Sequence, residues 1–248
     1  MPTTKTKAVA KSAVLDLMAA RHFMYSLLKR AFIEEPNKEF ITMLADGDML
    51  KNIPFADENE LIREGSEDLF LFTQDPELLK GNNMDELAAD YAMLYLGPGS
   101  LKAPPYESVH LSDKPLVFQD ETIEVRKEYI REELLPEKYN LEPDDHISLE
   151  LDFMAYLSKK ASKELRAEDY KKAKATLKKA KGFLADHLSL WAPMFADKTI
   201  KHATMDYYRG MGKILKGFVS YDTKTVDALI GDCEIRIKKE KEAAKKSN

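Results

Sequence analysis

The sequence holds a single cysteine, Cys233, which rules out a disulfide framework and any cysteine-built zinc or iron–sulfur site. The expected role of Cys233 is that of a small buried hydrophobe. No stretch approaches the ~20 uninterrupted apolar residues that a membrane span requires. There is no alternating apolar and polar pattern that would support a sheet, and no repeat at solenoid period. An excess of basic charge is also missing. With 38 Lys and Arg against 43 Asp and Glu, the net charge of −5 argues against a general nucleic-acid binder. Near the start, Lys5 and Lys7 precede Ala8-Val9-Ala10 in the manner of a secretory leader, but Lys11 and Asp16 interrupt the apolar run too early. The chain reads as cytoplasmic.

What is present is helical periodicity across 248 residues, enough chain to bury a sizeable core. Leu15, Met18, His22, Tyr25, Leu28 and Phe32 keep three-to-four spacing until Glu35-Pro36 stops the run. Met84, Leu87, Ala88, Tyr91, Leu94 and Tyr95 form a second stripe, with Asn83 and Glu86 as a capping-box start and Gly97-Pro98 as a stop. Ile53-Pro54, Gly65 and Asp75-Pro76 read as breaks. Beyond residue 120 the pattern predicts helices at roughly 121–134, 145–163, 167–190, 198–220 and 223–240. The expected fold is all-α, one globular bundle of about ten helices. It would comprise an N-terminal half (1–100), a Pro/Gly-rich connection with a helix (101–144), a C-terminal half (145–240) and a charged tail (241–248). The lysines between Tyr170 and Lys181 flank a seam of Ala173, Leu177 and Ala180 and read as its solvated face.

The segment Tyr91 to His146 departs from this regularity. It breaks at Gly97-Pro98-Gly99, crosses Pro104-Pro105-Tyr106-Glu107-Ser108, and ends at Glu142-Pro143-Asp144-Asp145-His146, where another helix starts. At ~100° per residue the apolar residues of that helix cover an arc of roughly 220°, leaving Ser148, Asp152, Ala155 and Lys159 outside it. His146 and Glu150 project from the middle of the arc. Buried ionisable groups must pair, find other partners or face a cleft. Asp144 or Asp145 is the expected N-cap. Between Asn140 and Asp152 lie Glu142, Asp144, Asp145, Glu150 and Asp152 with no Lys or Arg, a surface suited to a partner that is cationic at one end and apolar along its length.

Catalytic readings are weaker. Glu107-x-x-His110 matches half of a di-iron carboxylate signature, but such bundles need two such pairs and further glutamates. Ser108 with His110 lacks nucleophile-elbow glycines, and Gly210-Met211-Gly212-Lys213 has neither dinucleotide nor P-loop spacing. No metal or cofactor site is implied, and an enzyme is not expected.

Tyr91-x-x-Leu94-Tyr95-x-Gly97-Pro98-Gly99, Pro104-Pro105-Tyr106-Glu107-Ser108-Val109 and Glu142-Pro143-x-Asp145-His146-Ile147, in that order, resemble the TorD/DmsD family of redox-enzyme maturation chaperones. Phe183-Leu184-x-x-His187-Leu188-x-x-Trp191 extends the resemblance, which covers roughly residues 20–220. It implies a cofactor-free cytoplasmic chaperone that binds the twin-arginine signal peptide of a molybdopterin-containing oxidoreductase precursor and supports cofactor insertion before export. It implies a monomer or a homodimer, with helix exchange across the long loop as one route to the latter. The peptide-binding positions carried over are Tyr91, Tyr95, Pro105, Tyr106, Glu107, Ser108, Glu142, Pro143, Asp144, Asp145 and His146, to which the wheel adds Glu150. The alternative within this resemblance is a NarJ-like assembly factor that binds the body of a nitrate reductase-type catalytic subunit.

Overall fold

The computed structural model describes residues 10–46, 48–75, 77–79, 83–113, 116–135 and 142–246. The leader-like residues Lys5 to Val9, Pro76 of the third break, Asn140 of the acidic stretch and the last two tail residues lie outside them. Among the described residues there are ten α-helices, two π turns and no strand, as the periodicity requires. The helices are α1 (Lys11–Ile33), α2 (Lys38–Ala45), α3 (Glu60–Thr73), α4 (Asn83–Tyr91), α5 (Glu107–Leu111), α6 (Asp120–Arg131), α7 (Ile147–Arg166), α8 (Tyr170–Phe183), α9 (Ser189–His202) and α10 (Asp206–Lys246). Asn37, Asn59 and Asp169 cap α2, α3 and α8 by accepting from a backbone N–H in the first turn.

The first helix lies along α7, while α10 packs on α3, α8 and α9. An ion pair buried from water crosses the bundle: Arg21 Nε donates to Asp222 at 2.6 Å, Nη2 donates at 2.8 Å, and the Tyr25 hydroxyl donates to the same carboxylate at 2.5 Å. Such a pair clamps α1 to α10, because removing either partner strands a charge in the core. Around it the aromatic rings of Tyr25, Phe55, Phe218 and Tyr221 interlock. Cys233 is buried in a smaller apolar cluster with Val14, Met18 and Leu177, and burial pushes its thiol up to about 11.

Several expected boundaries move. Gly65 lies inside α3 and Gly210 inside α10, where the two helices cross so closely that a Cβ on Gly65 would stand 2.5 Å from the Gly210 carbonyl oxygen, and one on Gly210 would stand 2.8 Å from that of Gly65. The glycines serve packing, neither a break nor a phosphate loop. No break falls near 190–198: α8 passes through a π turn at Leu184–Leu188 straight into α9, with Pro193 inside it. Burial of Trp191, Ala192, Phe195 and Ala196 offsets the backbone bond that Pro193 forfeits. The chain turns instead at Ala203, where ψ is 135°. Helix α10 has no interruption at 220–223 and continues through the charged tail to Lys246.

Candidate functional site

The fourth helix ends in a π turn, Ala92–Leu96, which offers the carbonyls of Met93 and Leu94 to the N–H groups of Lys102 and Ala103 on the returning loop. Gly97 and Gly99 make the reversal with φ of 90° and 107°, the region that favours glycine. The proline-rich segment is thereby folded back and delivered to the start of α7. There the Ile147 N–H donates to the Pro105 carbonyl at 2.8 Å and the Glu107 N–H to the Asp145 carbonyl at 3.0 Å, forming an isolated antiparallel bridge between Tyr106 and His146. Two motifs far apart in sequence thus become one unit.

The acids of that unit are mostly interior. Asp145 is fully buried, accepting from the Ser108 N–H and the Thr122 hydroxyl, each at 2.8 Å. Asp144, also buried, takes Arg126 Nε of α6 at 2.6 Å, while its carbonyl accepts from the Tyr129 hydroxyl at 3.0 Å. Pro105 and Pro143 are buried beside them. The cation absent from 140–152 therefore arrives from α6, where sequence proximity gives no sign of it.

The side chains of His146 and Glu150 take different partners, although the Glu150 backbone N–H donates to the His146 carbonyl at 3.2 Å. His146 itself is the N-cap of α7, in place of the expected Asp144 or Asp145: its Nδ1 accepts from the Ser148 N–H at 3.1 Å and stands 2.7 Å from the Ser148 hydroxyl. Burial pushes the imidazole down to about 3, so the ring is neutral with its proton on Nε2. Glu150 accepts from the Trp191 indole N–H at 3.1 and 3.2 Å, and one turn away on the same face His187 Nδ1 stands 3.1 Å from the Glu107 carboxylate, so each carboxyl raises the other's cost of ionising. Ser148 and Ala155, expected outside the apolar arc, are buried as well.

His187 and Trp191, four residues apart on one helical face, are the partners that spacing alone did not assign to the site. A metal reading of Glu107-x-x-His110 fails on geometry. Glu107 faces His187, while His110 Nε2 bonds the Pro104 carbonyl at 2.8 Å and its ring rests on Trp191.

Tyr95 meets the rest only through Tyr91, edge to face at 5.1 Å, and is otherwise buried among Phe32, Phe195 and Tyr208 with its hydroxyl bonded to Thr199. Tyr91 donates to the Phe32 carbonyl, yet one edge of it lines an open cleft of about 490 Å³ with Ile33, Glu34, Glu35, Asn37 and Leu96. Burial raises the Tyr91 phenol, and the charges of Glu142, Glu34 and Glu35 raise it further, which puts all three carboxylates in its electrostatic neighbourhood. Glu142 also accepts from the Tyr106 hydroxyl at 2.8 Å and stays half-buried. Through Ile33 the cleft adjoins a second groove of about 590 Å³ between α1 and α7, walled by Leu134, Leu135, Leu149, Phe153 and Tyr156.

The family profile described as the nitrate reductase delta subunit matches residues 66–197, a span that contains every motif residue from Tyr91 to Trp191. The chain belongs to the TorD/DmsD family. Relatives within it include the chaperone protein TorD of Vibrio cholerae serotype O1 (strain ATCC 39541), 28% identical over 145 residues that make up 58% of this chain and 64% of the relative. TorD of Photobacterium profundum is 33% identical over 148 residues, 55% of this chain and 62% of the relative. The Tat proofreading chaperone DmsD of Salmonella typhi is 27% identical over 140 residues, 56% and 61% respectively. The matches thus span somewhat less than two thirds of these TorD/DmsD relatives. Among the described residues no helix is long and apolar enough to cross a membrane.

Proposed function

We propose that this TorD/DmsD family member is a cytoplasmic maturation chaperone that binds the twin-arginine signal peptide of a molybdoenzyme precursor and holds back its export until the molybdenum cofactor is inserted. The observation that carries the reading is the junction of accessible carboxylates with an open apolar groove. Glu34 and Glu35 share a cleft with Tyr91 and the exposed Leu96, the charge of Glu142 also acts on the Tyr91 phenol, and the groove of Leu149, Phe153 and Tyr156, which Lys29, Arg30 and Lys159 also line, shares Ile33 with that cleft. Paired guanidinium groups fit the first surface by charge-assisted hydrogen bonds, and the apolar body of a leader fits the second. In this reading Asp144, Asp145, His146, Glu107, Ser108 and Glu150 build the wall, while Glu142, Tyr106 and Tyr91 present its outer edge. Titration of the purified protein with leader peptides tests it. A twin-arginine leader should bind at least about ten-fold more tightly than its Lys-Lys counterpart, because an ammonium cannot reproduce the two-pronged contact. Equal affinity for twin-arginine, Lys-Lys and scrambled leaders would sink the proposal.

A second reading, a NarJ-like factor that grips the body of a nitrate reductase-type catalytic subunit, is favoured by the family description and by the exposed Leu116, Phe118, Ile123 and Ile130 before and along α6. Binding to a client from which the leader has been removed, with no binding to the leader alone, would select it.

A further inference from the structure

Beneath the Tyr106–His146 bridge lies a cluster that peptide recognition leaves unused. Glu107 of α5 and Glu150 of α7 are both buried, held by His187 and Trp191 one helical turn apart, and two carboxyl groups brought together away from water keep one proton between them in preference to two negative charges. His187 closes the cluster from one side at 3.1 Å from Glu107, and Trp191 from the other at 3.1 Å from Glu150. Helix α5 is only five residues long. Besides this cluster it is tied by the backbone bonds from Glu107 and Ser108 to Asp145 and by His110, whose ring packs on Trp191 and Phe195.

We propose that Glu107, Glu150 and His187 form a proton-held clasp: α5 and the strap Pro104–Tyr106 stay on α7 while the two carboxyl groups share one proton, and loss of that proton to solvent frees the strap from the start of α7. The surroundings make the second negative charge costly. Asp145 acts on both carboxyls with the same sign, and the Tyr129 phenol faces Glu150 without offering a cation. On the other side His187 faces Glu107, Glu128 and Asp186, and supplies the positive charge of the cluster.

The signs run in one direction. Burial, then the Glu107 charge, push Glu150 well above the ordinary carboxylate range, and burial raises Glu107 too. Burial pulls His187 down, but its bond to Glu107 and the charges of Glu107, Glu128 and Asp186 together outweigh that and the net shift is upward. Groups whose folded pKa is raised support the fold below their unfolded values and withdraw support as pH rises through the folded ones. The clasp therefore holds at mildly acidic pH and opens toward alkaline pH. The inference concerns the strap itself and does not rest on the identity of the ligand.

Hydrogen exchange of the Glu107, Ser108 and Ile147 amides in the full chain, without peptide, tests it after correction for intrinsic exchange. Protection should fall at least ten-fold from mildly acidic to mildly alkaline pH in the native sequence. In Glu150→Gln the amide still accepts from Trp191 and donates to Glu107 without titrating, so protection should stay flat. Flat protection in the native protein, or an equal fall in Glu150→Gln, overturns the proposal. Infrared spectroscopy of the native protein gives a readout that needs no variant. A protonated-carboxyl stretch at neutral pH that vanishes as protection falls supports the clasp, and absence of that band overturns it.

Discussion

Two sets of acids meet at this face and differ in what they can do. Asp144, Asp145, Glu107 and Glu150 are buried, and apart from Asp144 Oδ1 their carboxylate oxygens are engaged by Arg126, Ser108, Thr122, His187 and Trp191. Glu34 and Glu35 are exposed along an open cleft, Glu34 in an ion pair with Arg30, and Glu142 is half-buried with its carboxylate on the Tyr106 hydroxyl. The residue type is the same and the duty opposite. An acid whose lone pairs are saturated by the fold shapes a surface, and one left facing solvent can recognise a cation. Under the proposed peptide-binding role a mutation at either set weakens binding, so binding loss by itself does not tell recognition from architecture.

Stability separates the two, and the largest expected effect falls on the inner set. Asp145→Ala removes the acceptor for the Ser108 N–H and the Thr122 hydroxyl at a site sealed from water, and should cost about 2–4 kcal/mol in denaturant unfolding. A loss within the scatter of surface substitutions would mean that Asp145 belongs with the outer acids.

Next in size is a pH effect at the same wall. Burial lowers His146 to about 3 and His110 to about 4, while both titrate near 6.5 when unfolded, so the unfolded chain binds protons first and stability falls as pH drops below about 6.5. Protonated His146 also loses the lone pair that caps α7. By pH 5 the His146 share should reach about 2 kcal/mol. His146→Asn keeps a capping acceptor without titrating and should remove that share of the acid slope; an unchanged slope would show the imidazole to be accessible in the folded state.

The smallest expected effect belongs to the outer set. Glu34→Gln, Glu35→Gln and Glu142→Gln should each weaken a twin-arginine leader roughly two- to five-fold, with unchanged melting temperature and more strongly at low salt. If the triple variant binds as the native protein does, the guanidinium subsite lies elsewhere and the comparison collapses.

The helical class and the special status of Tyr91 to His146 were legible from spacing, because apolar period and Gly/Pro punctuation are local signals. The inner partners were not. Arg126, Thr122, His187 and Trp191 come from α6, from the π turn 184–188 and from α9, and only tertiary packing brings them to Asp144, Asp145, Glu107 and Glu150. His146 was singled out by its place in an apolar arc, but its duty as a cap depends on a backbone ψ of 135° that the wheel does not encode. Glu34 and Glu35 read as the end of a helix, since nothing in the first helix announces that Tyr91 shares their cleft. The same limit made Gly65 look like punctuation, when its absent side chain is what lets α10 approach.

Trp191 is the chain's one tryptophan, and its indole N–H points at Glu150 from a fully buried position. All of the protein's indole emission thus arises from a single ring whose dipole is anchored on one carboxyl group. A fluorimeter aimed at the unlabelled protein observes that carboxyl group together with the His110 and Phe195 rings packed on the indole. The fold has in effect wired its own optical probe to the innermost acid of the wall, and every change of charge or distance there is written in the colour of the light it emits.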